Sequence, residues 1–190
     1  MDDRQGQSAA LNSLGSAAFE WGDYAAARVY LERALASASE IGGRPGECSG
    51  LVCLSLAHHG LGEDEQALAY ARRALELAAE LGLQRLRGQA LAGMGSALLG
   101  LGRIEEAAAA YQGALEASQE LGQAGPALEA RAGLVRAALL QNDMVGALAQ
   151  ALEIYYALEG GPVEGMEEPS AVYLAAYKAF KAAGDKRAAR

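Results

Sequence analysis

Apolar side chains in this chain fall in short rows, and the rows recur. Leu11, Leu14, Gly15 and Ala18 stand at helical spacings, and the same intervals return in Leu51, Leu54, Ser55 and His58 and in Leu91, Met94, Gly95 and Leu98. A fourth row begins with a charge: Arg131, Leu134, Val135, Ala138. Residues so spaced share one face of a helix. A second series reads Ala27, Leu31, Ala34; Ala67, Ala71, Ala74; Ala107, Tyr111, Ala114; and Ala147, Ala151, Ile154. The pattern predicts two amphipathic helices per unit and a unit of 40 residues.

The punctuation between rows keeps the same period. Gly22, Gly62, Gly102 and Asn142 are each 40 apart, and Gly184 follows 42 later. The segments SEIG (39–42), AELG (79–82) and QELG (119–122) supply a second series of stops. Gly and Asn tolerate the left-handed backbone that ends a helix. Each unit therefore reads as helix, turn, helix, loop. Acidic residues follow the first stop (Asp23; Glu63, Asp64 and Glu65; Glu105 and Glu106), where they favour the positive end of the helix dipole by about 0.3–1 kcal/mol each. One such hairpin cannot offset the roughly 1–2 kcal/mol per residue of backbone entropy lost on ordering. Stacked hairpins bury one another's faces, so each must present the same surfaces. The repetition is structural, and function lies where the units differ.

The residues Leu11-x-x-Leu14-Gly15 with Ala27-x-x-x-Leu31, and Leu91-x-x-Met94-Gly95 with Ala107-x-x-x-Tyr111, resemble the tetratricopeptide repeat (TPR). The resemblance runs over about residues 5–189 and implies an all-α fold, a right-handed superhelix (α-solenoid) of stacked antiparallel helix hairpins. It divides a single array, 1–190, into units at about 5–44, 45–84, 85–124 and 125–160, a loop at 161–170, and a partial fifth unit or capping helix at 171–190. The sequence departs from the family pattern in three ways. Leu or Arg replaces the usual tryptophan, the closing proline is absent, and the period is 40, not 34. The surplus is expected in a longer second helix and its connection.

The resemblance also implies a binding groove lined by the first helix of every repeat. The row one residue past the packing row supplies the candidates: Ala9, Asn12, Ser16 and Phe19; Ser49, Val52, Leu56 and His59; Gln89, Ala92, Ser96 and Leu99; Glu129, Ala132, Arg136 and Leu139; Ala171, Leu174, Lys178 and Lys181. These are mostly small or apolar with isolated polar groups, which suits a helix or an extended peptide better than a nucleotide. Arg136, Lys178 and Lys181 make one end basic, a seat for an anion or a carboxylate. The paired Lys-Asn clamp of chaperone-binding TPR proteins is missing, which disfavours chaperone-tail recognition.

Composition agrees with helices: 44 alanines and 28 leucines, against two phenylalanines and one tryptophan. The net charge of −8, with all three lysines after residue 177, disfavours direct nucleic-acid binding, which needs basic residues to neutralise phosphates. Cys48 and Cys53 fall in one helix, badly placed for a disulfide, and read as reduced thiols of a cytoplasmic protein. No apolar run is long enough for a membrane span, and no signal pattern opens the chain. No enzymatic activity, metal or cofactor is expected. His58 and His59 point about 100° apart on a helix and cannot share a metal, and His58 occupies a packing position. GMGSALLGLG (93–102) has the glycines of a phosphate loop but no preceding strand. Trp21 and Tyr24 are expected to pack at the end of the array.

After Leu158 the regularity breaks into EGGPVEGMEEPS (159–170), expected to grade from ordered to flexible, and then AVYLAAYKAF (171–180), with Tyr173, Tyr177 and Phe180 on one face. Both ends of the chain read as cut from a longer array. The run 165–189 also resembles the C-terminal TPR regions of large bacterial signal-transduction ATPases and transcription activators. That resemblance implies a non-catalytic protein- or peptide-binding scaffold, the sensor or regulatory arm of a larger protein, whose partner is a protein, a peptide or another domain of the same parent. The alternative is a free-standing adaptor or peptide receptor. Self-association through exposed array ends is a further expectation.

Overall fold

The computed structural model describes residues 4–161 and 163–184. They form helices α1 (Arg4–Glu20), α2 (Tyr24–Glu40), α3 (Arg44–Gly60), α4 (Asp64–Leu81), α5 (Gln84–Gly100), α6 (Ile104–Glu120), α7 (Ala124–Leu140), α8 (Met144–Glu159) and α9 (Pro169–Ala182), with no strand among the described residues. The fold is all-α, as the periodicity requires. The helices gather into two bodies, Met1–Leu101 and Gly102–Arg190. In the N-terminal body α1 and α2 form an antiparallel hairpin, α3 and α4 a second, and α5 packs on both α4 and α3. In the C-terminal body α6 packs on α7, α7 and α8 form a hairpin, and α9 lies against both of its helices. Within each body every helix touches its sequence neighbour, and α1 touches α3, α3 touches α5 and α7 touches α9, the arrangement of an α-solenoid.

The helices stop because one residue in twenty turns left-handed. Gly22, Gly42, Gly62, Gly82, Gly102 and Gly122 all have φ between 65° and 78°, and Asn142 replaces glycine in the series at 58°. After most of these stops the next amide reaches back five residues to close the last turn: Asp23 N to Ala18 O, Gly43 N to Ala38 O, Glu63 N to His58 O, Leu83 N to Ala78 O, Gln123 N to Ser118 O and Asp143 N to Ala138 O, all at 2.8–2.9 Å. The same residue then opens the following helix. At Asp23 and Asp143 the carboxylate accepts the N–H of Ala26 and of Gly146. The module is thus a 20-residue helix and turn used twice per repeat. This corrects the expectation of a lengthened second helix, since first helices have 17 residues and second helices 16 to 18.

Alanine sets how closely the helices approach. Ala27, Ala67, Ala107 and Ala147, one per repeat, are wholly buried, as are Ala71 and Ala151. Where one helix brings a large side chain its neighbour is small. A Cβ on Gly15 would meet Leu31 at 2.6 Å, and a Cβ on Gly133 would enter the ring of the buried Tyr111. In the α7–α8 hairpin the sizes reverse, with Val135 opposite the alanine row of α8 in one core cluster. Leu31, Leu51 and Leu54 are almost fully buried, each contributing about 1.5–3 kcal/mol.

The segment before α9 is ordered onto α7, against the expectation that it grades into flexibility. Val163 and Met166 pack on the core, the backbone of Gly165 lies directly against Gly125, and the Glu129 carboxylate accepts the amides of Glu167 and Glu168 at the start of α9. Phe180 is buried, but Tyr173 and Tyr177 are 53% and 41% exposed, so the three do not share one environment. The turn residues Asp185 and Lys186 and the rest of the expected fifth unit lie outside the described residues.

Two substitutions test this account by urea denaturation. Asn142→Ala should cost about 1 kcal/mol or more, because alanine lacks the amide that eases a left-handed backbone, while Asn142→Gly should be neutral or slightly stabilising. Gly133→Ala should destabilise by about 1–3 kcal/mol, since the added methyl would collide with the buried Tyr111 ring.

Candidate functional site

The rows singled out in the sequence occupy the half-exposed flank of the first helices. On α1, α3 and α5 the residues Asn12, Ser16, Phe19, Ser49, Leu56, His59, Gln89, Ala92, Ser96 and Leu99 are partly accessible, Ala9 is exposed and Val52 is buried. On α7 and α9 the same register places Glu129, Leu139 and Ala171 at intermediate depth and buries Ala132. It exposes Arg136, Leu174, Lys178 and Lys181. Each body thus carries its own stretch of the row.

In the N-terminal body the two histidines are engaged with their own scaffold. His59 Nδ1 lies 2.5 Å from Asp64 Oδ1, and the neighbouring His58 pairs its Nδ1 with Glu63 Oε2 at 2.6 Å while stacking on Tyr70. Glu63 also holds Arg28, 3.2 Å away. The two imidazoles thus take separate carboxylates, and Glu63 and Asp64, which stand at the start of α4 as expected, also tie it to the end of α3 and to α2. His58 Nε2, Ser55 Oγ and Asn12 Oδ1 are buried without a hydrogen-bond partner. Ser55, His58 and Glu63 therefore do not form a proton relay, because the hydroxyl and the imidazole are not hydrogen-bonded. Cys48 and Cys53 form no disulfide, and burial, followed by the adjacent Glu47 charge, pushes the Cys48 thiol above its ordinary range, away from thiolate reactivity. The glycine-rich run 93–102 is helical to Gly100. Among the described residues no three His, Cys, Asp or Glu side chains are placed to hold a metal, and no helix is long and apolar enough to cross a membrane.

The C-terminal body differs. Glu129 is committed to the amides before α9; desolvation by burial raises its carboxyl above the usual range, only partly offset by those hydrogen bonds. Arg136 is held in place but not consumed. Its Nη2 donates to the Tyr111 hydroxyl at 2.8 Å, and its guanidinium carbon lies 5.6 Å from the centre of that ring. Gly133, one turn earlier, gives the ring room against α7. Lys181 extends over Tyr177 with Nζ 5.8 Å from the ring centre, and Lys178 takes on α9 the register position that Arg136 has on α7. Tyr111 as the support for Arg136 was not read from the sequence, although it is the only aromatic at its position in the four repeats. Trp21 corrects another expectation: it is 91% exposed, whereas Tyr24 packs against Phe19 and lies over Gly60.

Comparison with known proteins agrees with this geometry. BtubC (BKLC) from P. vanneervenii superposes with a TM-score of 0.75 at 22% identity, over 94% of this chain and 74% of its own. A putative kinesin light chain of P. anserina with nearly identical TPR-like repeats gives 0.74 at 14% identity, over 100% and 92%. The apo form of RapI gives 0.70 at 13% identity, over all of this chain and 62% of that one. These likenesses are of fold. No curated protein sequence matches the chain. The profile of the tetratricopeptide repeat matches residues 8–40, 53–81 and 88–121, half of the chain, and with the hairpins and stops described above it places this protein in the tetratricopeptide repeat family.

Proposed function

We propose that this protein is a peptide-binding TPR scaffold whose C-terminal body seats an acidic group of its ligand, and that it serves as the sensor or regulatory arm of a larger bacterial signalling or transcription-regulating protein. Repeats of this family are protein-interaction folds. The observation that carries the finer reading is the Arg136–Tyr111 pair. A hydroxyl and a ring face hold the guanidinium while it stays exposed, so part of the entropy of ordering it is already lost before a ligand arrives. Arginine presents a planar fork that matches a carboxylate with two parallel hydrogen bonds. Lys178 and Lys181 add positive charge on the adjacent helix of an otherwise acidic chain. The half-exposed apolar residues of the row, Leu139 and Leu174, supply contact area beside the charges. The role as an arm of a larger protein rests on the resemblance of 165–189 to such regions; the second reading, a free-standing adaptor, keeps the same ligand chemistry.

Panning a displayed random-peptide library against the chain should enrich Asp, Glu or a free C-terminal carboxylate. Charge reversal at Arg136, Lys178 and Lys181 together should weaken the selected peptide by about tenfold or more, near 1.4 kcal/mol, with helicity unchanged. Binding that survives the triple change sinks the basic-seat reading. Tyr111→Phe keeps the packing and removes the hydroxyl. It should cost about 1 kcal/mol of stability in urea titration and reduce peptide affinity several-fold; unchanged affinity would separate Tyr111 from the ligand.

A further inference from the structure

The four repeats provide an internal comparison for every surface position, and α8 fails it. On the solvent-facing side of the second helices four exposed positions recur: Ala25, Val29, Glu32 and Ala36 on α2; Glu65, Ala69, Arg72 and Glu76 on α4; Glu105, Ala109, Gln112 and Glu116 on α6. On α8 these positions are Val145, Ala149, Leu152 and Tyr156, with no charge among them. Val145 is 80% exposed and Tyr156 64%. Packing within the body does not explain the change, because the same helix already buries Ala147, Ala151 and Ile154 on its opposite side.

The geometry points to a second copy of this chain as the occupant, paired antiparallel through α8. Three features of the row select it. First, the spacing of four, three and four residues is that of a coiled-coil seam, a stripe narrower than a helix needs to pack on its own core. Second, the spacing reads the same in both directions. A twofold axis midway between Ala149 and Leu152 sets Val145 opposite the other copy's Tyr156, and Ala149 opposite its Leu152, so each contact joins a smaller side chain to a larger one. A self-complementary patch of this kind is what a twofold interface requires. Third, the electrostatics permit approach despite the net charge of −8. The seam is uncharged, and the flanking Glu153 is paired with Arg131 at 3.3 Å and would face Leu148 of the other copy. Tyr155, 40% exposed and edge-on to Tyr156, widens the patch. The exposed parts of these side chains come to roughly 400–500 Å² per copy, so the pair buries about 1,000 Å², the lower edge for a specific interface. The dimer is therefore weak and concentration-dependent. The seam lies on α8 and uses none of Arg136, Lys178 and Lys181 on α7 and α9, so each copy in the dimer keeps its own basic seat.

Sedimentation velocity of the full chain from low micromolar to submillimolar concentration should show a reversible monomer–dimer equilibrium. Leu152→Glu and Tyr156→Ser should each weaken it by at least about tenfold with an unchanged circular-dichroism melt, and Glu116→Gln, at the corresponding position of α6, should leave it alone. Mixing the Val145→Cys and Tyr156→Cys variants under oxidation should give a heterodimer whose linkage, mapped by mass spectrometry, joins those two positions. A chain that stays monomeric throughout overturns the proposal and leaves a foreign helix as the occupant. So does a dimer indifferent to both α8 variants, or a cross-link between two copies of position 145.

Discussion

One left-handed residue every twenty, closed by a six-residue backbone hydrogen bond, sets the frame on which the rest of this protein is built. The bond from Asp143 N to Ala138 O, like its counterparts at Asp23, Gly43, Glu63, Leu83 and Gln123, satisfies a carbonyl that a helix end otherwise leaves open. It also fixes where the following helix starts. Since α1 to α7 each end at such a residue and the next helix restarts directly after it, the packing rows within each body meet in register. Asparagine at 142 shows that the requirement is a backbone conformation and not glycine as such.

Alanine makes that register tight and also leaves it little tolerance. Buried alanines at 27, 67, 107 and 147 keep helix axes close, and the few large side chains that enter must be matched by an absence opposite, Leu31 by Gly15 and Tyr111 by Gly133. The second of these pairs links fold to site. The tyrosine that fills the space beside α7 is also the group that holds Arg136, so the most prepared cation of the row is positioned by core packing.

The candidate rows were legible in the sequence as positions, since helical spacing and the repeat register dictate which residues flank the packing face. What each side chain does there was not. Glu129 and Arg136 stand seven residues apart on one face of α7, yet one is spent on the amides before α9 and the other is supported and exposed. Their partners come from segments 38 and 25 residues away, and no periodicity carries that information. The acids after the first stops were similarly legible as helix openers, while their pairing with His58, His59 and Arg28 needed the hairpins to close.

The sequence by itself determined the helices, their stops and the family, because these depend on local backbone preference and on a periodic apolar face, both readable over a window of 40 residues. Tertiary structure decided the docking of the 163–168 segment, the exposure of Trp21, and the division of charged groups between scaffold and exposed surface. Those depend on which distant side chains arrive first at a given space, and steric exclusion and desolvation act only once the chain is folded.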